Sequence, residues 1–463
     1  MTQDAMTQSM QANEVETLLS RLSVANQHFE SQFPGLQVSR QPVHTVYGGA
    51  NLYSAGASAK ISSLAIKHFE TFAPDYLAMA KNLGIGANPA KVDQYGSDAW
   101  IAKTVFDRVT AKLTIEAIED HRADFEDGYG SRSDEEEDGH AVSAASAMAE
   151  AFLAGQLPPF VGIRIKALSQ EAKVRSLRTL DLFITALVTA TQGKLPQPFT
   201  VTLPKVISPT QVEVLHDFLT LLEHKLSLQA GTIRIELMLE NVQSLFDQDG
   251  RLAMPNMVKA GNGRVTGFVL GTFDYTATCN VASTYQSHTH AAVDFARQMM
   301  LASLMGTDVA IIDGITNIMP IAPHKGETLT VQQGEENKQI VTAAWKLHFD
   351  NILHSLERGI YQGWDLNPAQ IPVRFAAVYY FFVTGLETSS DRLRTFIDKA
   401  AQASMVGNTF DDAATGQGLV NFFVNGVACG AITETEVLRT GLTLEELKAR
   451  SFLKIIENRT NKS

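Results

Sequence analysis

The 463-residue sequence has only two cysteines, a deficit of positive charge and no long hydrophobic segment. Cys279 and Cys429 fit no Cys-x-x-Cys or Cys/His ligand spacing, so a zinc site is not expected and a disulfide framework is excluded. The chain has 38 Lys and Arg residues against 50 Asp and Glu residues, a net charge of −12. Such a chain repels a phosphate backbone unless its cations cluster, and they form no stripe, so we expect no nucleic-acid partner.

The apolar segments are too short to cross a membrane, since a spanning helix needs about 20 residues. The longest, residues 375–386, is interrupted by Thr384 and Gly385. Residues 1–13 are polar and rich in Gln, and they lack the charged start and apolar centre of a signal peptide. We therefore expect a cytoplasmic protein without membrane contact. Its composition, 45% hydrophobic and 19% charged, is that of an ordinary globular chain.

Short apolar segments alternate with helical patterns along most of the chain. Before residue 320 we predict seven strands: 42–49, 123–127, 160–165, 199–206, 232–240, 265–271 and 309–313. Regular alternation of strand and helix predicts a parallel sheet, either an open doubly wound sheet or a TIM barrel. No strand is followed by a Gly-x-Gly-x-x-Gly segment, and an eighth strand has room beyond residue 320, so the barrel is favoured.

The chain divides into three predicted regions. Residues 1–41 form a tail and an entry helix, residues 42–385 form the TIM (β/α)₈ barrel, and residues 386–463 form a C-terminal extension. We expect the extension to be helical because the sequence after residue 367 shows no strand alternation.

Acidic residues follow several predicted strands, at the end of a TIM barrel where active sites lie. Asp124, Glu126 and Asp127 end one strand, and a period of two would put Asp127 on the face opposite the other two. Glu240 and Asp274 close two successive strands. Two carboxylates that converge at a barrel mouth suit Mg²⁺, although acids after strands also serve as ordinary helix caps or surface turns.

Two cations lie among these acids. Arg164 is flanked by Ile163 and Ile165 on a predicted core strand, where a guanidinium needs a partner. That partner is either a bound carboxylate or phosphate, or one of the protein's own acids in a structural ion pair. Lys205 follows Pro204, at a position suited to binding an anion or to anchoring the carboxylates.

Five motifs in this order resemble the superfamily of citrate lyase β-subunits and malate synthases, which includes the HpcH/HpaI-type aldolases. They cover about residues 42–375 and are Asp124-Phe-Glu-Asp127, Arg164-Ile-Lys166, Leu203-Pro-Lys205-Val206, Glu240 after Leu-Met-Leu, and Gly271-Thr-Phe-Asp274. In length, the chain is most similar to uncharacterised aldolase/citrate-lyase-like members.

The resemblance implies a barrel of the phosphoenolpyruvate/pyruvate-binding type that is a carbon–carbon lyase. It implies a dependence on Mg²⁺, with Mn²⁺ as the alternative, and an enolate formed from a 2-oxo acid or an acyl-CoA thioester. It also implies a homo-oligomer, as barrels of this superfamily often assemble.

The resemblance also assigns roles to residues. Glu240 and Asp274 would hold the metal, while Arg164 would bind the oxo acid and polarise the enolate oxygen. Asp124 and Glu126 would organise water and the arginine.

Five more residues belong to the predicted site. Backbone amides of Gly48-Gly49 would bind a carboxylate or phosphate, and Lys205 would add a positive charge there. By similarity to malate synthase, Asp411 or Asp412 would be a catalytic aspartate supplied by the C-terminal region, with a helix N-cap or a water molecule as base as the alternatives.

One segment departs from the pattern. Relatives have Gly…His-Pro-x-Gln late in the barrel, whereas residues 363–370 of this chain have Asn367 in place of that histidine.

Two other functions stay open at this stage. Related Mg²⁺ barrels are phosphoenolpyruvate-utilising phosphotransferases, but this sequence has no Walker-type phosphate loop. A barrel without activity could also be a binding subunit. The presence of Glu240, Asp274 and Arg164 argues against that alternative.

Overall fold

The computed structural model describes residues 9–35, 40–326, 328–398, 404–406, 409–411, 413–449 and 451–460. Eight parallel strands close into a barrel in chain order, and β8 pairs with β1. The strands are β1 (His44–Gly49), β2 (Asp120–Asp124), β3 (Phe160–Arg164), β4 (Phe199–Leu203), β5 (Ile233–Leu239), β6 (Val265–Leu270), β7 (Ala310–Asp313) and β8 (Gln362–Asp365). The predicted TIM barrel is therefore confirmed, with its eighth strand beyond residue 320.

Helices surround the barrel and extend it at both ends of the chain. In chain order they are α1 (Ala12–Gln32), α2 (Ala57–Phe72), α3 (Tyr76–Leu83), α4 (Asp98–Glu116), α5 (Asp134–Leu153), α6 (Lys173–Ala190), α7 (Pro209–Lys225), α8 (Met254–Ala260), α9 (Thr272–Thr278), α10 (Ala291–Leu304), α11 (Val331–Glu357), α12 (Ile371–Asp398), α13 (Ala413–Ala428), α14 (Glu434–Leu438), α15 (Leu444–Leu447) and α16 (Phe452–Thr460). No helix in these described ranges is long and apolar enough to cross a membrane.

Side-chain caps fix where the outer helices begin after the strands. Ser133 and Glu136 form a capping box at α5, and Thr330 and Gln333 form another at α11. Each box satisfies two backbone N–H groups that the first turn leaves free. The loops between the strand ends and these helices therefore have defined lengths at the barrel mouth.

The apolar core lies between the barrel and its helices, in two large clusters. Inside the barrel, the apolar cluster is small and comprises Met238, Val269, Ile312 and Trp364. The rest of the interior is polar, and Arg122 makes a bidentate pair with Asp120 below this cluster, at 2.6 and 2.7 Å. This polar interior extends to the ends of the strands, where the charged residues predicted from sequence lie.

The C-terminal extension is helical, as predicted, but it also contains a short antiparallel hairpin of β9 (Ser404–Val406) and β10 (Thr409–Asp411). The hairpin occupies a Val/Thr/Phe-containing stretch, and such residues favour strands. Helix α12 continues without interruption across residue 385. The boundary predicted there, between barrel and extension, stays a prediction.

Candidate active site at the carboxyl end of the barrel

The centre of the site is an ion pair between the last residues of two neighbouring strands. Asp124 ends β2, Arg164 ends β3, and the two are register partners. Arg164 donates from Nε to Oδ1 of Asp124 at 2.7 Å and from Nη2 to Oδ2 at 2.6 Å. Both side chains are buried. The alternative of an internal ion pair for Arg164 is therefore what the structure contains.

Arg164 is enclosed on its other sides as well. Its Nη1 lies 3.2 Å from Oε2 of Glu126, and the rings of Tyr47 and Trp364 lie 4.9 and 5.2 Å from the guanidinium carbon. Although burial opposes the charge, the bond to Asp124 raises the pKa of Arg164 further above its ordinary value. A guanidinium held by two carboxylates and two rings has one orientation available.

Three carboxylates form a second group at the mouth. One oxygen from each of Asp127, Glu240 and Asp274 lies within 4.8 Å of the others. Carboxylate oxygens at this spacing could hold one metal ion. Glu240 is buried, whereas the other two are partly open to solvent. We refer to these three residues as the carboxylate triad.

The position of Asp127 corrects the sequence-based expectation that it faces away from Asp124 and Glu126. Strand β2 ends at Asp124, so the alternation of faces stops there and the chain turns. Asp124 fixes this turn by accepting from the backbone N–H groups of Glu126 at 3.0 Å and Gly128 at 2.8 Å. The turn places Asp127 beside Glu240 instead of on the opposite face.

Burial and like charge act strongly on Glu240. Desolvation, together with the nearby charges of Asp274 and Glu126, raises the pKa of Glu240 to about 8. Its Oε2 accepts a 2.6 Å bond from the backbone N–H of Lys205, which offsets only part of that cost. Desolvation also raises the pKa of Asp274. Ionisation is therefore disfavoured at Glu240 and Asp274, whereas at Asp127 burial is outweighed, chiefly by the charge of Lys205, and the pKa is lowered.

Lys205 supplies the positive charge nearest to the triad. Its Nζ pairs with Glu126 and lies 3.1 Å from Asp127 and 3.9 Å from Asp274. Burial alone would lower the pKa of Lys205, but the bond to Glu126 raises it above its ordinary value. The residue has a φ of +52°, a left-handed conformation that is uncommon outside glycine. This conformation aims its N–H at Glu240 while its side chain reaches the β2 turn.

Three other residues singled out from the sequence, Gly48, Gly49 and Asn367, have structural contacts. Gly48 and Gly49 pair with Ala123 and Asp124 of β2, and a Cβ at position 49 would come within 2.6 Å of the Gly128 carbonyl oxygen. Gly49 therefore makes room for the β2 turn, whereas a Cβ at position 48 would come within 3.1 Å of His121 Nε2, and the binding of a ligand by either glycine stays a prediction. Asn367 is a capping residue, because its Oδ1 accepts from the N–H of Ala369 at 2.9 Å.

Of the two predicted catalytic aspartates, Asp411 is the last residue of β10. Its side chain and the whole of Asp412 lie outside the described residues. Their roles stay predictions.

Sequence reasoning missed the two rings that enclose Arg164 and the grouping of Asp127 with Glu240 and Asp274. Tyr47 and Trp364 come from β1 and β8, which meet where the barrel closes, with ring centroids 4.8 Å apart. In the sequence, each aromatic residue looks like an ordinary member of a strand. Only closure of the barrel brings the two rings onto Arg164. In the sequence, the signal that could have placed Asp127 correctly is Gly128, a turn-forming residue directly after it.

A family model described as a domain of unknown function, DUF6986, matches residues 22–455. No curated protein matches the sequence. Among solved structures, the chain is similar to a citrate lyase from Burkholderia xenovorans LB400, with 15% identity and a TM-score of 0.51 over 73% of this chain and 92% of that one. At this identity the likeness shows a shared barrel fold. The superfamily resemblance read from the motifs is thus confirmed at the level of the fold.

Two further solved structures are less similar. The CitE protein from Mycobacterium tuberculosis, in complex with magnesium, acetoacetate and coenzyme A, has 15% identity and a TM-score of 0.43, and the match covers 70% of this chain and 95% of that one. Malate synthase from Haloferax volcanii, in a ternary complex with pyruvate and acetyl-CoA, has 14% identity and a TM-score of 0.38, with 73% and 88% covered.

Proposed function

We propose a function for this chain, which belongs to the DUF6986 family, from the arrangement of charges at its barrel mouth. The protein is a carbon–carbon lyase of the aldolase or citrate-lyase-like kind and requires Mg²⁺, for which Mn²⁺ can substitute. Its substrate is a 2-oxo acid or an acyl-CoA thioester, and its reaction passes through an enolate. The observation that supports this most directly is the carboxylate triad, whose Asp127 and Asp274 share Lys205 with Glu126, the acid that lies 3.2 Å from Arg164.

The triad fits a small divalent cation. Mg²⁺ prefers oxygen ligands and takes one or two carboxylates together with water and substrate oxygens. Asp127, Glu240 and Asp274 offer such oxygens, and Glu240 is buried at a cost that a cation would relieve. When bound, the cation would offset the negative charge that grows on an enolate oxygen.

Arg164 is oriented to receive the same oxygen or the substrate carboxylate. Asp124 occupies its Nε and Nη2, whereas Nη1 lies 3.2 Å from Oε2 of Glu126 and 3.9 Å from Sδ of Met238, so Nη1 is the donor that a substrate oxygen would take over from Glu126. The rings of Tyr47 and Trp364 keep water from the guanidinium, and a charge acts more strongly where water is excluded. We therefore assign substrate binding and enolate stabilisation to Arg164, with Asp124 and Glu126 as the residues that position it.

Three further assignments belong to the same proposal. Lys205 balances the acids while the substrate enters. The amides of Gly48 and Gly49 bind its distal carboxylate or phosphate, and Asp411 or Asp412 carries the proton. Only Lys205, Gly48 and Gly49 have described positions near the mouth.

Enolisation can be tested without knowing the reaction partner. The protein would be incubated with pyruvate, and separately with acetyl-CoA, in D₂O with Mg²⁺, and exchange of methyl protons for deuterium would be followed by NMR. We expect exchange with one of the two compounds, lost when Mg²⁺ is chelated and in Glu240→Gln. Asp249→Asn, an exposed acid paired only with Arg251 at 3.4 Å, is the control and should exchange at the wild-type rate.

Two results would overturn the proposal. Exchange that persists in Glu240→Gln would show that the carboxylate triad is not needed for enolisation. No exchange with either compound, from a folded protein that still binds them, would favour a binding subunit without activity.

A further inference from the structure

Helix α1 projects from the barrel with an uncovered apolar face. The side chains of Leu18, Leu22 and Phe29 are 53%, 55% and 62% exposed, and of residues 13–32 only Val15 is even partly covered. The chain touches the barrel just after the helix, where the N–H of Gly35 donates to the carbonyl of Gly306 at 2.7 Å. The helix is therefore tethered at one end only.

A helix whose apolar face is uncovered gains no stability from packing. Isolated helices shorter than about 12–15 residues are marginal in water, and most helical stability in proteins comes from packing of an apolar face. Helix α1 has 21 residues and a capping box at Gln11 and Glu14, but its large apolar residues remain in water. Burial of Leu and Phe side chains is favourable, so a partner that covers them would stabilise α1.

The spacing of the apolar residues identifies the partner. Val15, Leu18, Leu22, Ala25 and Phe29 are separated by three, four, three and four residues. This is the 3.5-residue repeat of a coiled-coil seam, and the exposed Leu19 lies beside it. We refer to these five residues as the α1 seam.

The charges of α1 argue against a lipid surface as the occupant. Helices that lie on membranes carry a cationic polar face. Helix α1 has one Arg, Arg21, against Glu14, Glu16 and Glu30. Helix α1 therefore lacks that cationic face, and the repeat of the α1 seam suits a second helix with the same repeat.

We propose that α1 pairs with α1 of a second copy of this chain through the α1 seam, as a two-stranded coiled coil that joins two barrels. The pairing covers Leu18, Leu22 and Phe29 and leaves the barrel mouths free. The α1 seam lies before β1, which begins at His44, so the pairing is separate in the chain from the carboxylate triad and Arg164.

The test is the molar mass of the full-length protein by sedimentation equilibrium. We expect wild type to have twice the mass of Leu18→Ser/Leu22→Ser. Val24→Ser is the matched control, because Val24 is 68% exposed but lies off the seam, and it should keep the wild-type mass. Circular dichroism must show all three proteins folded.

A second variant protects the test against a change in folding. Removal of residues 1–21 takes away Val15 and Leu18 without touching the barrel, and it should also halve the mass. A wild-type monomer, or a mass that the seam substitution and the deletion both leave unchanged, would overturn the proposal. So would a monomeric wild type whose α1 is captured by a different protein.

Discussion

Gly271 leaves the space that the Glu240 side chain occupies. A Cβ at position 271 would overlap Cγ of Glu240 and lie only 2.9 Å from its Oε1. Glycine is thus required there not for a turn but because a buried carboxylate passes across it. This contact explains physically why the Gly271-Thr-Phe-Asp274 motif begins with glycine, and it ties β6 to the carboxylate triad.

Gly271→Ala should therefore displace Glu240 from the triad. We expect metal affinity to fall by tenfold or more and stability to fall by about 1–3 kcal/mol, the usual cost of overpacking. Calorimetric metal titration and urea unfolding measure the two effects. Gly139→Ala is the control, because Gly139 is exposed on α5 and no described atom outside its own helix lies within 4 Å of the added methyl group. Its metal affinity should not change. Wild-type affinity in Gly271→Ala would contradict the role given to this contact.

Asp124→Asn should leave the buried Arg164 charge without its main partner. Breaking a buried ion pair on one side typically costs 3–5 kcal/mol, and Glu126 at 3.2 Å recovers part of that. We expect a loss of about 2–4 kcal/mol in the free energy of unfolding, measured in urea. A loss below about 1 kcal/mol, the range of exposed pairs, would mean that Arg164 is hydrated and not held as described.

Glu240→Gln should make the metal-free protein more stable at high pH. Burial raises the pKa of Glu240 to about 8, so between pH 4.5 and 8 the folded state holds a proton that the unfolded state has lost. The stability of wild type therefore falls as pH rises through this range. Glutamine does not ionise. We therefore expect the free energy of unfolding of Glu240→Gln to exceed that of wild type by about 2–4 kcal/mol at pH 9, a difference that vanishes near pH 4.

Thermal unfolding in the presence of a chelator, at several pH values, measures this difference. A constant difference between the two proteins from pH 4 to 9 would show that folding does not shift the pKa of Glu240. For wild type, metal binding should also tighten as pH rises toward 8, because the cation requires the ionised carboxylate.

Lys205→Met should tighten metal binding. The Lys205 ammonium competes with a divalent cation for Asp127 and Asp274, which lie 3.1 and 3.9 Å from its Nζ. Removing that charge should lower the metal dissociation constant by about tenfold, or 1.4 kcal/mol. Lys194→Met, at an exposed position, is the control. Weaker binding in Lys205→Met would mean that the lysine supports the site by orienting the carboxylates.

The sequence predicts the barrel well because strand and helix periodicities are local properties. Glu240 and Asp274 were paired from sequence alone, since the ends of successive parallel strands must meet at one edge. Asp127 was placed on the wrong face because the prediction extended β2 past Asp124, where hydrogen bonds to Asp124 turn the chain. Where a strand stops depends on such bonds and not on the alternation that identifies the strand.

Contacts made by barrel closure could not be predicted in the same way. Tyr47 and Trp364 are more than 300 residues apart and meet at Arg164 only because β8 pairs with β1. The break between α2 and α3 has a local cause instead. Pro74 cannot donate a helical hydrogen bond, and Asp75 caps α3 by accepting from Ala78 at 2.8 Å.

In the proposed site, the carboxylate triad binds a metal ion that a 2-oxo acid helps to hold. Calorimetric titration of Mg²⁺ into wild type and Glu240→Gln/Asp274→Asn, with and without pyruvate or oxaloacetate, measures this binding. We expect wild type to bind one ion, the oxo acid to tighten this binding, and the double variant to lose both effects. Equal binding by the two proteins, or no binding by either, would contradict this expectation.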